Sequence, residues 1–295
     1  MEFNAFAQTV KERLTDVFGP DFTIETTKVL KNNSVRLTGI MILQKDCNIA
    51  PTIYLEDYYT DHCDGRGIEE IINDILRVYD RNRAVGNVRL EVFENFEKLK
   101  ERIIFKLINY EKNLELLSGV PHRRFLDLAV IYIISLGETG MGNASVTIRN
   151  EHMKKWNLTE DELWKLARRN APNISKPEIL SLYELIGEIT GKNDIDDSDN
   201  DSMMYVLTNN TRLNGASCIL YEDTIPEFAG KLGKDIFIIP SSVHEVILFP
   251  ADGFADTDRL NEIINEVNCT QVAEQEILSY RLYRYNRSDG RIVCV

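Results

Sequence analysis

The chain reads as an α+β protein with mostly antiparallel or mixed sheets and packed helices. Strand-like runs come in pairs joined by short turns, and an amphipathic helix follows each pair. This strand-strand-helix order occurs three times, over 29–83, 125–170 and 235–268. Hairpins, rather than strict alternation of strand and helix, argue against a wholly parallel sheet. No clear residue-level repeat accompanies the recurrence.

The elements follow from spacing and turn chemistry. Phe3, Phe6, Val10, Leu14 and Val17 recur at helical spacing, and Gly19-Pro20 stops the run. KVLKNNSVRLTGIMI holds two β-prone runs that meet at Asn32-Asn33, residues that tolerate the positive φ of a hairpin turn. NIAPTIYLEDYY (48–59) supplies a third β-prone run. Ile68, Ile71, Ile72, Ile75, Leu76 and Tyr79 form one apolar stripe of a helix.

In the middle third, Leu99 to Tyr110 is β-prone at its centre but ambiguous with helix, and RFLDLAVIYIISL is a strong strand. A glycine-bearing turn over 137–143 leads to SVTIRN (145–150). Thr159 and Glu162 form a capping box that opens a helix, and Pro172 is expected to end it. A further helix is expected from Pro177 to about Thr190.

The last third reads as strand MMYVLTN, a turn at Asn214-Gly215, and a helix from Pro226 to Leu232 that stops at Gly233. Strands DIFIIP and HEVILF follow. A helix near Asp256 places Leu260, Ile263, Ile264 and Val267 on one face. Strands SYRLYRYNR and GRIVCV close the chain through a turn at Ser288-Asp289-Gly290. The expected division is 1–92, 93–192 and 203–295, with 193–202 as an acidic loop.

Charge narrows the function. The 34 basic and 47 acidic residues leave a net charge of −13, which repels phosphate backbones. The best basic spots, RNRAVGNVR (81–89) and HRR (122–124), read as solvated loop residues, so no nucleic-acid partner is expected. MEFNAFAQTVKERL lacks the basic and apolar regions of a signal peptide. No apolar run approaches the roughly 18 residues that span a bilayer. The expectation is a cytoplasmic protein with no membrane partner.

The five cysteines, Cys47, Cys63, Cys218, Cys269 and Cys294, are widely spaced and include no CxxC. They read as reduced thiols rather than a disulfide framework or zinc ribbon. The four histidines form no HxxxH or HExxH pair, and His62-Cys63-Asp64 is too compact for one ion, so no metal is expected. Asp197, Asp199 and Asp201 superficially resemble a calcium loop. Ser202 stands where its glycine belongs and Thr208 where its glutamate belongs, so that reading fails. The glycines of 137–143 lead into a strand rather than a helix N-terminus and make no phosphate cradle. That loop is a fair site of partner contact. No cofactor is expected.

PSSVHE invites a hydrolase reading, with Ser241 or Ser242 as nucleophile, His244 as base and Glu245 as orienting acid. In an extended strand Glu245 points away from His244, and no GxSxG elbow exists. The simpler reading makes 240–243 a turn whose hydroxyls satisfy turn amides. Ser217 reads as a helix cap or turn residue. Cys218 could pair with His244 only if the fold brought them together. YLEDYYTDH places Tyr54, Tyr58 and Tyr59 beside acids, a pattern suited to protein binding; the alternative is strand-end packing with the hydroxyls in water.

VRLTGIMI, NIAPTIYLEDYY, NASVTIRNEHMKKWNLTEDELWKLARRNAP, NGASCILY and LGKDIFIIPSSVHEVILFP together resemble an uncharacterised bacterial family classed only as a domain of unknown function. A more distant similarity is to a second uncharacterised bacterial family. It rests on Trp156 before a helix ending at Ala167 to Asn170, on the Ala216-Ser217 pair, and on a proline-turned hairpin entering a long apolar strand. The resemblance implies a soluble intracellular bacterial protein and carries over no catalytic residue. The reading reached is a non-enzymatic protein-interaction or regulatory module whose partner is another protein. The alternative is a hydrolase using Ser242 or Cys218 with His244.

Overall fold

A computed structural model describes residues 1–48, 50–82, 95–139, 142–182, 204–251 and 257–295. Outside them lie the acidic segment 192–202, residues 183–190 of the expected helix, residues 140 and 141 of the glycine-bearing turn, and most of the basic run 81–89. The fold is α+β, with three antiparallel sheets among the described residues. The chain divides into two compact units. The first takes 1–31, 35–96 and 136–144, and the second 32–34, 97–135 and 145–295.

In the first unit, α1 (Phe3–Phe18) buries Phe6, Val10 and Leu14 on one face. Gly19 ends it at φ 70, and its N–H donates to Thr15 O. Strands β1 (Phe22–Leu30) and β2 (Arg36–Gln44) pair from Phe22 opposite Gln44 to Leu30 opposite Arg36. The turn between them carries Asn33 and Ser34 at φ 59, so the positive-φ pair lies one residue later than Asn32-Asn33. Period-two alternation sends Ile24, Ile40 and Ile42 inward, joined by Ile53 of β3 (Thr52–Tyr54). Gly39 answers a close approach, because a Cβ there would overlap the Thr52 methyl.

The expected strand over 48–59 is corrected here. Only Thr52–Tyr54 is strand, and α2 (Glu56–Cys63) follows after one residue. Tyrosine's β propensity masks a helix start whose acids, Glu56 and Asp57, suit the positive end of the helix dipole. The Glu56 carboxylate also takes the Thr38 N–H at 2.6 Å, which ends the ladder. Helix α3 (Ile68–Asn82) buries Ile71, Ile72, Ile75 and Tyr79 and closes this core.

The second unit holds a six-stranded sheet and, apart from residues 136–144 at two of its strand ends, a four-stranded one. The four-stranded sheet has the order β4 (Ile103–Asn109), β6 (Leu128–Thr139), β5 (His122–Phe125), with β7 (Gly142–Thr147) also on β6. Six of the seven β4 residues are buried, so both of its faces are covered. Between them run short helices, α4 (Phe96–Leu99) before β4 and α5 (Leu114–Ser118) after it. RFLDLAVIYIISL is thus two strands. Leu126, at φ 54, and Asp127 make the turn between them. The HRR spot is also corrected, since it lies in β5 rather than a loop. Arg123 pairs with Glu160 and Asp161, and Arg124 sits 4.5 Å over the Tyr110 ring.

After α6 (Asn150–Trp156) comes α7 (Glu160–Ile174). Its capping box has the predicted form: Glu162 N–H donates to Thr159 Oγ1 at 3.3 Å, and Thr159 N–H to Glu162 Oε2 at 2.8 Å. Pro172 does not end the helix. It lies in the last turn, where its missing amide forgoes a single ladder bond, and the helix runs on to Ile174.

The six-stranded sheet has the order β13 (Arg291–Cys294), β12 (Tyr283–Asn286), β10 (Ile236–Ile239), β11 (Val246–Pro250), β9 (Tyr205–Asn209), β8 (Pro177–Ser181). Pro177–Ser181 is therefore a strand, not the start of a helix. It lies opposite β9 with Pro177 facing Asn209, and an edge strand accepts proline at its first residue. Helix α8 (Thr224–Leu232) ends at Gly233, φ 70. Helix α9 (Thr257–Thr270) buries Ile264 and packs Leu260 against Phe237, Phe249 and Leu282. Ile263 and Val267, expected on the same face, are exposed.

Candidate functional site

The tyrosine cluster separates into two environments. Tyr54 closes β3, and Tyr58 lies in the first turns of α2. Both line a groove of about 460 Å³ with Pro51, Thr52, Asp57 and Asn82. Lys31 Nζ stands 4.3 Å from the Tyr54 ring centroid. Partial burial raises the Tyr58 hydroxyl above its ordinary range, and the Asp74, Asp61 and Asp57 charges add to this against Arg66. Tyr59 is elsewhere. It meets Phe3 edge-on at 5.1 Å and Phe6 at 5.4 Å, and its hydroxyl donates to Met1 O. A helix turns neighbouring side chains about 100° apart, enough to send Tyr58 to the groove and Tyr59 to Phe3 and Phe6 of α1.

In the second unit, Ser242, His244 and Glu245 share a groove of about 370 Å³ with Ser241, Arg212 and Glu276. Ser242 Oγ accepts the backbone N–H of His244 at 3.0 Å and of Glu245 at 3.3 Å, and donates to Glu245 Oε1 at 3.2 Å. Its hydroxyl thus holds a turn and makes no bond to the imidazole, and the residue is 6 % exposed. His244 Nδ1 accepts the Asn214 N–H at 3.3 Å. That bond places the ring proton on Nε2, which lies 3.8 Å from Glu276 Oε1. The ring turns an N–H, not a lone pair, toward the groove's carboxylate. A base or a metal ligand needs the lone pair.

Cys218 does not join this group. It lies in the 3₁₀ turn Gly215–Leu220, fully buried, and burial pushes its thiol up to about 12. Ser217 Oγ donates to Asn214 O at 2.8 Å, a turn role. Gly215 is required by close packing, since a Cβ there would overlap Thr208 Oγ1 and the backbone of His244 and Asn209.

Sequence reasoning missed a network of asparagines in this unit, Asn33, Asn109 and Asn268 buried and Asn32 half-buried. The irregular segment 274–279 presents six consecutive carbonyls, and each receives a donor. Asn33 Nδ2 serves Glu274 and Ile277, both at 2.7 Å, and Asn32 Nδ2 serves Gln275 at 2.7 Å. Val243 N–H serves Glu276 at 2.8 Å, Asn109 Nδ2 serves Leu278 at 3.1 Å, and Asn268 Nδ2 serves Ser279 at 2.8 Å. Carbonyls withdrawn from water need partners, and here side chains supply five of the six donors that a ladder would. No local pattern announces this, because the donors lie 11 to 244 residues away in the chain. The same segment places Glu276 beside His244.

Among the described residues, no group of three His, Cys, Asp or Glu side chains is placed to hold a metal ion, and no helix is long and apolar enough to cross a membrane. No curated protein and no solved structure matches the chain significantly. One sequence family does match, over residues 3–287, and the chain belongs to it: the family of unknown function DUF5688.

Proposed function

We propose that this chain is a cytoplasmic bacterial protein that acts as a non-enzymatic module binding another protein, through the first-unit groove where Tyr54 and Tyr58 meet Asp57. One observation carries the reading: two of the three tyrosines marked by sequence line a single groove together with an exposed acid. Tyrosines supply contact area at small entropic cost, and they concentrate at protein interfaces. The strongly acidic chain favours a basic partner surface. The hydrolase alternative finds no comparable support, since the Ser242 hydroxyl is engaged by its own turn and Cys218 is sealed from solvent.

The test is affinity capture of the tagged full chain from its native lysate, read by mass spectrometry, beside a Tyr54→Ala/Tyr58→Ala variant of matched stability. A stoichiometric protein bound by the wild type and lost from the variant is the expected result. An identical bound set for both proteins, or a retained small molecule as the only ligand, overturns the proposal.

A further inference from the structure

The groove beside Tyr54 has a main-chain side. Leu55 N–H donates to Thr38 O at 3.0 Å, and these two residues continue the register that sets Ile53 opposite Ile40. Hydrogen-bonded pairs alternate along an antiparallel ladder. Leu55 and Ile53 therefore turn their N–H and C=O groups toward β2, and Tyr54 and Thr52 turn theirs away from it. Among the described residues β3 is an edge of its sheet. Two N–H and two C=O groups line the outer side of β3, and Pro51, which has no N–H, marks the end of the row.

An unpaired strand edge is a template for another strand. The walls of this one are chemically specific. Tyr58 rises from α2 as an aromatic wall. Asp57 is exposed and makes no ion pair among the described residues. Asp61 and Asp74 also act on Tyr58, and Arg66 is bound to both of them, at 2.9 Å to Asp61. Arg77 also holds Asp74, at 2.8 Å, and Lys31 lies over Tyr54, so among these carboxylates Asp57 is the one left without a cation among the described residues.

We infer that the groove takes an extended peptide segment of a partner protein by strand addition to β3, with a Lys or Arg of the peptide at Asp57 and an aromatic or aliphatic residue against Tyr58. The main chain supplies affinity through Thr52 and Tyr54. Alternate side chains supply specificity, because only every second residue of an added strand faces the same wall. This rests on the groove reading above, and adds the conformation and charge of what it binds.

The experiment is selection of a displayed random-peptide library on the full chain. Titration of a selected synthetic peptide follows, against wild type, Asp57→Lys and Tyr58→Ala, and of versions N-methylated at one backbone position at a time. Strand addition predicts Lys or Arg enrichment and about tenfold or greater weakening by Asp57→Lys, whose exposed site leaves the core untouched. It also predicts that N-methylation at alternate residues abolishes binding while the positions between tolerate it. Binding lost on Asp57→Lys but indifferent to N-methylation at every position overturns strand addition and leaves the groove reading standing. A library that yields no binder, or binders indifferent to both variants, overturns the two together.

Discussion

Asn33 and Asn113 hold each other through two hydrogen bonds: Asn33 N–H donates to Asn113 Oδ1 at 2.8 Å, and Asn113 Nδ2 donates to Asn33 Oδ1 at 3.0 Å. Both are buried. The pairing aims the Asn33 amide at the carbonyls of Glu274 and Ile277. Asn113→Ala strands a buried N–H and a buried amide oxygen, each worth roughly 1–3 kcal/mol when left unpaired. The expected loss is about 3 kcal/mol in urea unfolding. The Asn33→Ala/Asn113→Ala double variant is expected to lose less than the sum of the two single losses. A single-variant loss below about 0.5 kcal/mol, the range of an ordinary surface change, would sink the idea.

Gly215 marks a place where backbone meets backbone. Gly215→Ala must push away the His244 carbonyl or the Asn209 amide, neither of which is a flexible side-chain end. Overpacking of this kind costs about 1–3 kcal/mol. The displacement should also be visible as a changed His244 ring resonance in NMR, because the same loop sets the Asn214 to His244 bond. An unchanged resonance and an unchanged unfolding midpoint would contradict the packing described.

The cysteines should divide by reactivity. Cys63 and Cys269 are exposed, whereas Cys218 is fully buried with its thiol pushed up to about 12. At neutral pH its thiolate fraction is negligible, and the thiolate is the nucleophile. Mass spectrometry after brief alkylation of the native protein is expected to find Cys63 and Cys269 modified and Cys218 intact. Cys218 should react only when the chain is unfolded. Native labelling of Cys218 at the rate of Cys63 would refute its sealed position.

Stability should fall at both ends of the pH scale, for opposite reasons. The Thr159 backbone N–H and then its hydroxyl hold Glu162 below its ordinary 4.5, and the Arg287 N–H and then Arg284 hold Asp235 below 3.8. A depressed carboxyl contributes stability that is complete above its unfolded value and lost as pH falls through its folded one. Asp235→Asn should therefore flatten the acid limb. On the alkaline side, burial first of all raises Tyr132, Tyr221 and Tyr283 above 10.0, with Glu160, Cys218 and Asp127 adding to it in turn. Their contribution is complete below pH 10 and lost above it. Tyrosinate absorbance from these three should appear together with loss of circular dichroism. Gradual titration with the fold intact would count against their buried placement.

What was legible in the sequence was local. The hairpin turn near Asn33, the Thr159–Glu162 box and the stop at Gly233 each depend on a few neighbouring residues; the box and the stop take the predicted form, and the turn falls one residue later, at Asn33 and Ser34. The misreadings arose where distant packing decides. Pro177–Ser181 reads as the start of a helix, but pairing with β9 makes it a strand. NIAPTIYLEDYY has strand-like composition, but helix α2 takes its second half. The same contrast divides the candidate sites. Tyr54 and Tyr58 are close in sequence and share a groove. Asn214 and Glu276, which fix the state and surroundings of His244, are about thirty residues away on either side and carry no local mark.

The row of carbonyls at 274–279 also bears on how the chain is made. A ribosome releases Asn32, Asn33 and Asn109 long before it adds the residues they serve, 241 and 244 positions later for Asn33 and 169 for Asn109. During elongation these amides must stay hydrated or bond elsewhere, and contacts of such long span form slowly because the loop they close is large. The second unit should therefore lock only near the end of translation. A nascent chain stalled before residue 274 should be far more open to protease in that unit than one that has passed residue 279.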